Sequence, residues 1–250
     1  MSPFAIGGIA FLCVFGTALA GMFLRSRLPD HHLSPESRDA IKLATAVVGT
    51  LSALALGLLI ASAKRSFDEA GVETRAAAAR VLLLDRVLAH YGPEASEARA
   101  PLRRIVETRL NRGSEDGRNA GSPDQILDVE PIQDLLRGLT PRTDAQRWLQ
   151  SRALQLTGQM AEARWQSAET EVGGFPGAFL AFLILWLALL FGSFGLLAPG
   201  NATVVAVFLV CALSITGALV LIIDMDHPYL GFIQVSDRPF RMALERLGQP

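Results

Sequence analysis

Seven residues at helical spacing carry the chemistry most worth following: Lys42, Thr45, Gly49, Ser52, Leu56, Ile60 and Lys64. At about 100° per residue they fall in a stripe about 120° wide. One helix face would then run cation, hydroxyl, glycine, hydroxyl, two large apolar side chains, cation. That order suits an ion path, with a polar vestibule, an apolar constriction that gates by dewetting, and positive mouths that favour anions. The plainer reading of the same residues is that Thr45 and Ser52 bond their own backbone carbonyls inside a packed helix.

A second cluster is Asp224, Asp226 and His227, which closes the last long apolar run. Two carboxylates at a helix C-terminus face the negative end of the macrodipole and need compensation. Lys64 and Arg65 leave the membrane on the same side, so an ion pair is the economical expectation. A divalent-cation site built on the two carboxylates is the sharper alternative. The chain has four histidines. His31 and His32 are adjacent in a polar loop and point apart on any regular backbone, so they read as a surface pair. His90 sits at a helix end, where a cation complements the dipole. There is no Gly-rich phosphate loop, His-Glu-x-x-His, nucleophile elbow or paired-cysteine site. No catalytic residue, metal or cofactor is therefore expected.

The elements that must position these residues are written in charge distribution. Of 250 residues, 23 are basic and 24 acidic, and none of these lies in 4–24, 43–63, 175–197 or 202–223. Each run reaches the roughly 20 residues that a helix needs to cross a bilayer's hydrocarbon core. The expected class is thus all-α: a polytopic membrane protein with four transmembrane helices and a helical cytoplasmic insertion, 64–174, between the second and third. A tail, 224–250, follows the fourth. Ala18-Leu19-Ala20 resembles a cleavage site, but no basic residue precedes the first run, which reads as a retained span. Cys13 and Cys211 lie within apolar runs and read as packed thiols. The net charge of −1 offers no basic field for nucleic acid.

Four crossings put both termini and the insertion on one side. Near the membrane that side has Lys64, Arg65, Arg75, Arg80, Arg164, Arg238 and Arg241, against Arg25, Arg27, Arg38 and Lys42 on the other. The positive-inside rule then favours a cytoplasmic insertion. Within it, the second span runs on without a break to Tyr91, and Gly92-Pro93 ends it. Further helices are expected over 94–111, 126–138 and 143–172, with Arg112–Gln125 as a turn-rich loop. Thr143 and Gln146 form a capping box. Leu149, Ala153, Leu156, Met160 and Ala163 make a stripe suited to helix packing. Phe240, Leu244 and Leu247 give the tail a short amphipathic helix that docks on this bundle. In the spans, Thr17–Gly21, Gly16–Ala20, Ala53–Gly57–Ala61, Gly177–Ala181, Ala188–Gly192 and Ser214–Ala218 place small residues where helices approach closely.

Four motifs agree in order and spacing with a known family: LPDHHLS at 28–34, LGLLIASAK at 56–64, FGSFGLLAPGNA at 191–202 and DMDHPYLGFIQVS at 224–236. The chain resembles a bacterial membrane-protein family of unknown function labelled bestrophin-like. Its layout is similar to bestrophins proper, which are pentameric, mostly anion-selective channels whose second helix lines the pore. The resemblance implies a homo-oligomer, pentameric by analogy, with Thr45, Gly49, Ser52, Leu56 and Ile60 lining a pore and Lys42 and Lys64 at its mouths. Two departures stand out: Leu56 and Ile60 are aliphatic where the bestrophin constriction is partly aromatic, and the tail is short. Asp224 and Asp226 look like a thin version of the bestrophin calcium cluster. The rival reading is a membrane scaffold or sensor whose helical insertion binds a protein partner.

Overall fold

A computed structural model describes residues 3–29, 34–115, 129–170, 177–229 and 231–248, with backbone only at 112–115 and 167–170. Every regular element among them is helical: α1 (Pro3–Arg27), α2 (Pro35–Tyr91), a short 3-10 turn (Pro93–Ala95), α3 (Ser96–Glu115), α4 (Glu130–Gly138), α5 (Asp144–Thr170), α6 (Gly177–Leu197), α7 (Ala202–Met225) and α8 (Arg238–Arg246). His31, His32 and most of the segment expected as a loop lie outside the described residues. The helix α3 runs to Glu115, so its backbone continues through 112–115, where turn-rich composition predicts a loop.

The chain divides into two compact units, Met1–Arg65 with Phe175–Asp226, and Ser66–Gly174 with His227–Pro250. The first holds α1, the beginning of α2, α6 and α7. All four are long and apolar enough to cross a membrane. Their inner faces meet in one core, with Val14, Ala18, Leu59, Ala63, Leu183, Leu219 and Ile222 buried. Their outer faces leave Leu12, Leu43, Leu54, Phe182 and Val210 exposed, as lipid-facing surface requires.

Small residues set the tightest seam of this unit. An added Cβ on Gly21 would run into the Gly192 carbonyl oxygen of α6, and one on Gly195 into the Ala18 carbonyl oxygen of α1. Only glycine permits that approach of two backbones. Gly16 and Gly177 have open space instead. At the end of this seam Arg25 Nη1 donates to the Leu197 carbonyl oxygen (2.9 Å), meeting a free carbonyl of the last turn of α6 with a cation. Asn201 caps α7, its Oδ1 accepting from Val204 N–H at 2.9 Å.

The second unit is built on the rest of α2. Ala77, Val81, Leu84, Leu88 and Tyr91 face a core completed by Leu102, Val106, Ile132, Leu136, Ala153, Leu156, Met160 and, from the tail, Phe240, Ala243 and Leu247. Ala153, Leu156 and Met160 of the α5 stripe are therefore covered within the chain. Gly92, at φ 122°, ends α2 in a conformation that favours glycine. Gln146 joins two helix ends: its N–H donates to Thr143 Oγ1 at 3.1 Å, and its Nε2 donates to the Tyr91 carbonyl oxygen at 3.2 Å. Its own Oε1 accepts from Arg142 N–H, one residue before the expected position of a capping box. Inside the unit, Asp85 is 2% exposed and takes a forked pair from Arg99, Nε at 2.8 Å and Nη2 at 3.1 Å. The hydrogen bond to Asp85 raises the Arg99 pKa above its ordinary value. Buried Arg109 reaches Asp237 at 3.3 Å and lies 5.3 Å from the Phe240 ring centre, which holds the tail helix down.

Candidate ion-conducting face of the second helix

The stripe on α2 straddles the line where the helix leaves its bundle. Thr45, Ser52, Ala55, Leu59 and Ala63 are buried and mark the inward face. Ser52 Oγ donates to the Val48 carbonyl oxygen of its own helix at 2.8 Å, the self-bonded arrangement weighed above. Gly49 is half-buried, and a Cβ there would stand 3.1 Å from Leu190 Cδ1 of α6. Leu56 packs against the edge of the membrane core. Ile60 is 48% exposed and lies outside it. Lys42 and Lys64 are exposed too. Lys42 pairs with Asp39 at 2.9 Å, so its charge at that mouth is partly offset.

Next to Ile60, on the outward face, runs a ridge of short side chains: Ala46, Thr50, Ala53, Gly57 and Ala61, all exposed. Among the described residues, nothing beyond its own stretch of helix comes within 4 Å of a Cβ placed on Gly57. The sequence signal for this ridge is the four-residue spacing of Ala53, Gly57 and Ala61. What spacing withholds is that these residues face out of the chain and not into its own bundle. Thr50 is the hydroxyl that the helical stripe leaves out, and it donates to the Ala46 carbonyl oxygen at 2.9 Å.

At the end of α7, Asp224 is buried and Asp226 half-buried. Asp226 N–H bonds the Ile222 carbonyl oxygen at 3.1 Å, which finishes the helix. Among the described residues, no group of three or more His, Cys, Asp or Glu comes together that could hold a metal ion. Outside the spans, Glu36 opens α2. Backbone and Ser34 hydrogen bonds to its carboxylate hold its pKa below the usual value, as expected at a helix N-terminus.

Four long apolar helices around a shared core, with outward apolar faces, define a multi-pass helical membrane protein. Within that class the chain belongs to the Bestrophin-like domain family, whose model matches residues 12–240. No curated protein and no solved structure matches it.

Proposed function

We propose that the chain is one subunit of an oligomeric, anion-selective ion channel of the bacterial inner membrane, with α2 lining the pore. The observation that carries this reading is the open side of α2. The other three spans leave Lys42, Ile60, Lys64 and the short-residue ridge facing out of the chain. Copies arranged around an axis would bring these faces together, and a pentamer is the ring that family resemblance favours. Leu56 and Ile60 then supply the apolar constriction and Lys64 the positive mouth. Gly49 adds a narrow backbone wall, with Thr45 and Ser52, both buried in the subunit, beside it. Lys64 or Arg65 compensates the buried Asp224. The insertion and both termini are cytoplasmic by the positive-inside count, and the bilayer lipid and a permeant anion such as chloride are the partners.

Reconstitution into liposomes with chloride and potassium flux readouts tests this. Leu56→Ala and Ile60→Ala raise conductance, and Lys64→Glu lowers preference for chloride. Unchanged flux in all three variants would remove α2 from the pore. Native mass spectrometry supplies the companion test, since a clean monomer or dimer is incompatible with a symmetric ring.

A second reading, a scaffold that binds a protein partner, is favoured by one observation in the second unit. An open apolar groove of about 540 Å³ is lined by Leu83, Val87, Ala145, Trp148 and Leu149, with Arg86 and His90 at its rim. Capture of a partner that is lost in Trp148→Glu, with flux intact, would put this reading ahead.

A further inference from the structure

We infer that the groove between the joined ends of α6 and α7 holds an acyl chain of an anionic phospholipid, whose phosphate Arg25 of α1 binds. The groove belongs wholly to the four-span unit. Its volume is about 380 Å³, and Phe194 and Leu197 of α6 line it with Thr203, Val204, Val207 and Phe208 of α7. Its walls are braced from within. The buried Phe191 ring meets the rings of Phe194 and Phe208 edge-on, at 6.0 and 6.2 Å between centres, an arrangement that aromatic rings prefer. Phe194 and Val207 are 41% and 53% exposed, so the groove opens out of the unit's own core.

Arg25 sits at the level of this groove. It is the first charged residue after the apolar run of α1, and α6 ends at Leu197. Arg25 Nη1 donates to the carbonyl oxygen of Leu197, itself a residue of the groove, at 2.9 Å. Among the described residues the remaining guanidinium N–H groups of Arg25 meet no acceptor. Nearby on α1 the Arg27 guanidinium lies 4.9 Å from the Phe23 ring centre. A cation on an aromatic ring where a span ends is the chemistry of the headgroup region.

Anions for Arg25 are scarce on this side of the unit. The segment between the first two spans has three acids, Asp30, Glu36 and Asp39, and the turn between α6 and α7 has none. Glu36 is hydrogen-bonded to Ser34 and to backbone at the start of α2, and Asp39 pairs with Lys42 at 2.9 Å. Asp30 lies outside the described residues. A second copy of the chain would bring the same acids, with Glu36 and Asp39 already engaged. It would also have to fit: one turn of a helix about 10 Å across fills about 420 Å³, more than the groove holds. A methylene chain is narrower, and a phospholipid joins it to a phosphate, as the groove joins an apolar wall to a guanidinium. Basic pockets between membrane helices take lipid headgroups by this chemistry.

The test is native mass spectrometry of the full chain in detergent, with equal amounts of dioleoylphosphatidylglycerol and dioleoylphosphatidylcholine added. Retention of phosphatidylglycerol over phosphatidylcholine is expected. Arg25→Gln should lower that preference about tenfold, the worth of one charge-assisted hydrogen bond. Arg25 also braces the end of α6, so a second variant leaves it in place. Val207→Trp fills the groove and should reduce the retained phosphatidylglycerol by a similar factor. Val210→Trp, 62% exposed on the same helix and outside the groove, is the control and keeps the lipid. Glycerol phosphate, a headgroup without a chain, is not expected to displace it. Equal retention of the two lipids overturns the inference, as does displacement by glycerol phosphate or a Val207→Trp variant that keeps its phosphatidylglycerol. If Val207→Trp sheds subunits and not lipid, a second copy covers the groove and the inference is likewise overturned. The readout is bound lipid and not flux, so a failed channel reading leaves this result standing.

Discussion

Replacing Gly195 by alanine should separate two helices that are now in backbone contact. The new Cβ would fall on the Ala18 carbonyl oxygen and close to Ala18 C and Met22 N, 2.9 and 3.1 Å away. Carbon and oxygen in weak hydrogen-bonded contact sit about 3.3–3.6 Å apart. Relief therefore needs α1 and α6 to part by on the order of 1 Å, since all three colliding atoms are backbone and no rotamer can move them. A gap of about 0.5–1 Å forfeits roughly a quarter to a half of each dispersion contact along the seam. Overpacking usually costs about 1–3 kcal/mol, and the backbone origin of this clash puts the expected loss near 3 kcal/mol. Unfolding by sodium dodecyl sulfate in mixed micelles, followed by circular dichroism, reads the change. Gly217→Ala is the control, because among the described residues no neighbouring element lies within 4 Å of its Cβ, and the substitution gains helix propensity. Equal unfolding midpoints for Gly195→Ala and Gly217→Ala would refute the tight seam.

Three further outcomes follow from the contacts described above. Arg99→Ala leaves the buried Asp85 without its forked partner and should cost about 3 kcal/mol, the low end for a broken buried pair because Arg99 is 24% exposed. Asp85→Asn with Arg99→Ala should recover part of that loss, and a double variant no more stable than Arg99→Ala alone argues against the pair. Arg25→Ala removes the bond to the Leu197 carbonyl oxygen and should lower stability by about 1 kcal/mol, which the same titration would detect. Glu36 is held below its ordinary pKa, so its contribution to stability is complete above pH 4.5 and fades as pH falls through the lowered folded value. A stability-against-pH profile of Glu36→Gln should lack that acid-side loss, and a profile that matches the wild type would dismiss the role of Glu36.

The spans were legible because lipid demands long runs without charge, and 4–24, 43–63, 175–197 and 202–223 meet that demand on composition alone. Facing was harder to read. In water, periodicity reports burial, and the helical spacing of Val81, Leu84, Leu88 and Tyr91 falls on the core of the second unit. In lipid, both faces of a helix are apolar, so the residues of α2 give little sign of which side meets the bundle. Thr45 and Ser52 show this: their spacing put them on the stripe, while packing turned them inward. Small-residue spacing likewise marked Gly21 and Gly192 as able to approach a neighbour, but it marked Gly16 and Gly177 equally and passed over Gly195. The Asp85–Arg99 and Arg109–Asp237 pairs join residues 14 and 128 positions apart in the sequence. Nothing local in the sequence announces them.

Phe240, Ala243 and Leu247 are buried in the core of the second unit, yet they are synthesised only after the fourth span. The helices α2 to α5 leave the ribosome first and must wait, with an incomplete core, while α6 and α7 are made. Only when the tail emerges can Phe240 fill its place and Asp237 meet Arg109. Maturation of this unit therefore comes after translation of the fourth span, and growing chains pass through an interval with exposed apolar surface. That interval is when chaperones and quality-control proteases have their best access.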